Sequence, residues 1–207
     1  GQKVLSAIKK ELNGNIRKDG SATTKGYLAL IEGDTSVPIH KNISIAYSTL
    51  YEAFRCLIEE DHEGGIEVAK AITTIAKIDH ASFSASIETY KAKNPNEEFI
   101  DFRVTTKHTS QNGTLGLMYD WGYQWMDQDQ RKTVREAIAL ASSNMTLIGG
   151  QTLRTPRSSG SNWISWTSRL VTLLAAIEGE KGYDAGSYER SVYALKWFFA
   201  LSVFTDG

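Results

Sequence analysis

Three prolines in 207 residues, set among apolar positions that recur every three or four places, constrain this chain more than any other feature. Proline removes a backbone donor and clashes with the preceding turn, so its scarcity leaves long stretches open to helix. The spacing fills them: Val4, Ile8 and Leu12; Ala46, Leu50, Phe54 and Leu57; Ile66, Ala69, Ile72 and Ala76. It continues with Leu115, Met118, Gly122 and Trp125, then Val134, Ile138, Ala141, Met145 and Ile148. Two further windows carry Trp163, Trp166, Leu170, Leu174 and Ile177, and Tyr188, Val192, Leu195, Phe199 and Val203. Each is a one-sided helix that must bury its apolar stripe against a neighbour.

Short polar links join these helices at Glu59 to Gly65, Met126 to Gln128 and Glu178 to Gly186, and short links make neighbours antiparallel. Asp127 reads as an N-cap. Leu57-Ile58-Glu59-Glu60 before Gly64-Gly65 parallels Ala176-Ile177-Glu178-Gly179-Glu180 before Ala185-Gly186, a weak hairpin repeat. The expected fold class is all-α, built of antiparallel helix hairpins. Residues 1–41 read as an arm with a lead-in helix and 42–207 as the hairpins, in one domain overall. Two stretches escape the pattern. Gly14 to His40 reads as an irregular arm or a short strand, and Gly149 to Ser161 as a basic Gly/Ser-rich loop.

Composition narrows the function classes. A formal net charge of −1 gives no global field toward nucleic acid or an anionic membrane. The apolar runs fall short of the ~18 residues of a membrane span. Cys56 is the single cysteine and sits among apolar helical positions, as a buried thiol does. His40, His62, His80 and His108 lack the paired spacing of a zinc site, so neither metal nor cofactor is expected. His40 and His108 precede helices and are candidates to line a cleft, and His80 follows Asp79 at an expected helix junction. Phosphate-cradling glycine loops and nucleophile elbows are absent in suitable context. Asn42-Ile43-Ser44, Asn112-Gly113-Thr114 and Asn144-Met145-Thr146 match the glycosylation triplet.

The segment from Arg154 through Arg157 to Ser161-Asn162-Trp163 brings cations, a carboxamide and an indole to the start of a helix. Arginine pairs bidentately with carboxylate or sulfate, a helix N-terminus offers N–H donors, and indole stacks on a pyranose ring. The plainer alternative is that Ser161 or Asn162 caps the helix while Trp163 and Trp166 fill the core.

Three blocks in this order, Leu117-Met118-Tyr119-Asp120-Trp121, Ser161-Asn162-Trp163 and Tyr188-Glu189-Arg190 leading to Phe204-Thr205-Asp206-Gly207, resemble the heparinase II/III-like polysaccharide lyases. The resemblance covers Thr114 to the end, and extends more distantly to chondroitin AC and hyaluronate lyases. It implies a partial (α/α) toroid, a uronic-acid polysaccharide as partner, a secreted or periplasmic home and a β-rich C-terminal domain. Asn162 matches the amide that helps neutralise the uronate carboxylate, which makes it the catalytic candidate. Arg157, Trp163, Arg154, Tyr119 and Trp121 are the substrate-binding candidates. Many relatives place a histidine directly after this asparagine or nearby, where this chain has Trp163. The family's catalytic tyrosine block follows the Asp-Gly pair, so these 207 residues alone are expected to lack turnover.

Other tyrosines compete as a base, with Tyr119, Tyr123 and Tyr183 in view, although Tyr119 and Tyr123 sit one turn apart beside Trp121 and Trp125 as packing residues do. Two rivals remain. An (α/α)-barrel glycoside hydrolase needs two facing carboxyl groups, for which Asp120, Asp127, Asp129 and Asp184 are candidates. A helical repeat scaffold needs no chemistry.

Overall fold

The computed structural model describes residues 21–96, 113–153 and 161–204. Among these residues it is all-helical, with no strand. The helices are α1 (Ala22–Ile31), α2 (Ile43–Glu59), α3 (His62–Lys93), α4 (Thr114–Gly122), α5 (Gln128–Leu153), α6 (Ser161–Ala176) and α7 (Ala185–Phe204), with a 3-10 turn at Tyr123–Trp125. The expected lead-in helix around Val4 to Leu12 lies outside the described residues.

Two compact units divide the chain. One takes in the residues up to Ile78 with Leu117–Val134, and the other Asp79–Gly116 with Arg135–Gly207.

In the first unit α1 packs on α2. The irregular arm or strand expected between Gly14 and His40 is corrected here, because Ala22–Ile31 is helical. The Thr-Thr-Lys-Gly start is a poor helix former, but Ser21 Oγ caps it by accepting from Thr24 N at 3.1 Å, and Tyr27 and Leu30 are fully buried. Tertiary burial outweighs weak propensity. Gly33, at φ +84°, then turns the chain out.

The first half of α3 is the apolar centre of this unit. Ala71 to Ala76 are all buried, so this helix is enclosed on every side. Its two threonines remain satisfied because Thr73 Oγ1 donates to Ala69 O at 2.8 Å and Thr74 Oγ1 to Lys70 O at 3.1 Å. The sequence placed a helix junction at Asp79-His80, and α3 instead runs unbroken to Lys93. Nothing there breaks a helix, and Phe83 and Ile87 continue the i, i+4 stripe of Ile72 and Ala76.

In the second unit Phe83 and Ile87 form a small core with Tyr90 and Leu140 against it. The helices α6 and α7 pack along each other as a hairpin. Gly116 lets α4 approach α6 closely, since a Cβ there would sit 3.0 Å from Thr172 O. The expected Gly149 to Ser161 loop is shorter than read, because α5 continues through Leu153. Paired glycines raise the cost of a helix by ~1 kcal/mol each without ending it.

Three of the links obey one rule. Glu60-Asp61, Met126-Asp127 and Ile177 to Asp184 each finish on an aspartate that caps the next helix. Gly64 N donates to Asp61 Oδ1 at 2.9 Å, Gln130 N to Asp127 Oδ1 at 2.8 Å and Ser187 N to Asp184 Oδ1 at 3.0 Å. At Asp127 the box closes, with Asp127 N donating to Gln130 Oε1 at 2.9 Å. The expected cap at Asp127 is therefore present. The noted repeat also has a physical core: both links turn through a left-handed residue, Glu60 at φ 56° and Gly179 at φ 77°. Their lengths differ, and Gly64-Gly65 fall in the first turn of α3 rather than in the link.

Candidate functional site

Asn162 and Trp163 fall in the first turn of α6, which begins at Ser161. The first turn of an α-helix carries N–H groups without a carbonyl four residues earlier and the positive end of the dipole, so it favours anions. Arg154, Arg157, Asp206, Gly207 and His108 lie outside the described residues.

Tyr119 and Trp121 belong to the other unit. Tyr119 has 0% exposure and meets Tyr123 edge-on, with ring centroids 5.3 Å apart. A ring with no open face packs the core and offers no stacking surface, which corrects its place among the substrate contacts. Trp121 is half-buried, tilted against Phe54 at 4.9 Å between centroids. Tyr123 is partly exposed and carries the Arg131 guanidinium 4.0 Å from its ring centroid, while Arg131 Nη2 donates to Tyr123 O at 3.1 Å. These aromatics brace the α4 to α5 corner.

The strongest electrostatic feature was not singled out from the sequence. Arg55 on α2 holds Glu52 bidentately, Nε to Oε2 at 3.0 Å and Nη2 to Oε1 at 2.7 Å, and also pairs with Glu59 and with Asp61 Oδ2 at 2.8 Å. Hydrogen bonding to Glu52 foremost, then to Asp61 and Glu59, raises its pKa far above the ordinary arginine value despite partial burial. Since Asp61 Oδ1 caps α3, one guanidinium ties the end of α2 to the start of α3. The signal was legible as Glu52, Arg55 and Glu59 at i, i+3 and i+7, spacing that places both acids beside the cation. Every carboxylate in the group is engaged by the arginine, so the cluster is a structural clasp. Cys56 beside it is fully buried, as expected.

The carboxylates considered for hydrolysis have other work or stand apart. Asp127 and Asp184 are caps, and Asp120 and Asp129 are exposed. The Asp184 carboxyl is held below its usual value, first by the side-chain hydrogen bond from Ser187 and then by the Ser187 backbone. A general acid at neutral pH needs the opposite shift. Tyr183 is pushed up, by desolvation first and then by the negative charge of Glu178, which disfavours the phenolate of a base.

His62 and His80 are exposed on α3, and His40 is half-buried in the loop before α2. Among the described residues no three His, Cys, Asp or Glu side chains are grouped to hold a metal ion. No described helix is long and apolar enough to cross a membrane. Asn144 is buried with its amide donating to Leu140 O at 2.8 Å, which removes one glycosylation triplet from consideration.

Sequence reasoning also missed a shallow hollow of about 420 Å³ along α3, lined by Ser82, Ala85, Ser86, Thr89, Tyr90 and Lys93. Ser86 and Thr89 spend their hydroxyl protons on the helix itself, donating to Ser82 O at 2.9 Å and Ala85 O at 2.8 Å. Their oxygens remain acceptors only.

The class these observations define is an all-helical protein of capped hairpins. No known protein family, curated protein or solved structure matches the chain.

Proposed function

We propose that this chain is the helical part of a polysaccharide lyase that acts on uronic-acid-containing glycans by β-elimination, with its hairpins arranged as a partial (α/α) toroid. The observation carrying this reading is the position of Asn162 in the first turn of α6. Helix N–H donors in a first turn suit a uronate carboxylate, and Asn162 is the carboxamide residue of that turn. The order of the three sequence blocks ending at Asp206-Gly207 supports the same reading, and a secreted or periplasmic location follows from the size of such substrates.

The chemistry explains the residue types. The proton at C5 of a uronic acid is too weakly acidic to remove until the adjacent carboxylate is neutralised. An amide donor such as Asn162 stabilises the enolate-like charge as it develops. A base then takes the C5 proton, and an acid protonates the departing glycosidic oxygen. Arg157 and Arg154 supply the cations that hold neighbouring acidic groups, and Trp163 supplies a ring face.

Calorimetric titration with uronate oligomers and with neutral oligomers of equal length tests the reading. Binding of the acidic series alone, weakened about tenfold or more in Asn162→Ala and in Arg157→Ala, is expected. Equal heats for the two series, or none with either, overturn it. If products form, an unsaturated sugar marks elimination, whereas its absence marks hydrolysis.

One observation favours a second reading, a helical repeat scaffold without chemistry. Asp61, Asp127 and Asp184, at the ends of three links, all serve as helix caps. A scaffold gives no response to any uronate oligomer.

A further inference from the structure

We draw no further inference here: the strongest candidate, the exposed apolar stripe of Ile43, Tyr47 and Tyr51 along one face of α2, carries nothing because nothing in the structure shows what covers it.

Discussion

Replacing Arg55 with methionine removes one cation from three carboxylates while keeping most of the apolar stem. The cost is dominated by Glu52, whose side chain is only 5% exposed and loses a bidentate partner. Leaving one member of such a buried pair behind costs about 3–5 kcal/mol. Glu59 and Asp61, at 25% and 33% exposed, add about 0.5 kcal/mol each at most. Some relaxation of Glu52 toward water sets the expected loss near 3 kcal/mol, the lower end of that range. Urea unfolding followed by tryptophan fluorescence reads it, with Trp121 and Trp125 reporting from the same unit. Glu59→Gln is expected to cost less than about 1 kcal/mol. The double variant Glu52→Gln with Arg55→Met is expected to cost at least ~1 kcal/mol less than the two single losses combined, because the uncompensated charge is gone. A single-variant loss below about 1 kcal/mol, or strict additivity in the cycle, refutes the clasp.

The remaining predictions concern caps and close approaches. Asp184 has a folded-state pKa below its unfolded value, so its contribution is present above that unfolded value and fades as pH falls through the folded one. Asp184→Ala should therefore lower stability by about 1 kcal/mol at pH 7, with the gap to wild type closing below about pH 4 in a pH series of melts. Gly65→Ala drives a Cβ into the Trp125 indole and is expected to cost about 1–2 kcal/mol, with a shifted tryptophan emission. Gly179→Ala meets open space and should cost about 1 kcal/mol from its left-handed φ alone, with emission unchanged. Ile72→Ala, at the enclosed centre of α3, should cost about 2–5 kcal/mol by chemical denaturation.

The helical class was legible because apolar spacing is dictated by what each helix must bury. The Asp127 cap was legible because its three-residue offset to Gln130 is a local rule. Two features were misread for physical reasons. At Asp79-His80 the buried aspartate interrupts an apolar stripe without breaking the backbone, so a polar residue looked like a junction inside α3. At Ala22–Ile31 the opposite holds, because Thr and Gly signal weak propensity while burial of Tyr27 and Leu30 supplies what the local sequence lacks. The Arg55 clasp is legible only in part, as Glu52, Arg55 and Glu59, because Asp61 joins it from beyond the helix end, where helical spacing no longer applies. For the site, the sequence placed Asn162 at a helix start, and α6 does begin beside it. Tyr119, proposed from its block as a ligand contact, is consumed by the core, since a run from Leu115 to Trp121 that is apolar except at Gly116 and Asp120 does not reveal which face of α4 is covered.

The proposal stands or falls on where an acidic sugar meets the chain. An amide-resolved NMR titration of the isotopically labelled protein with a uronate tetramer reads that directly. The account predicts saturable shifts centred on the first turn of α6, around Asn162 and Trp163, and their loss in Asn162→Ala. Shifts scattered over unrelated helices, or a spectrum unchanged at millimolar tetramer, contradict it.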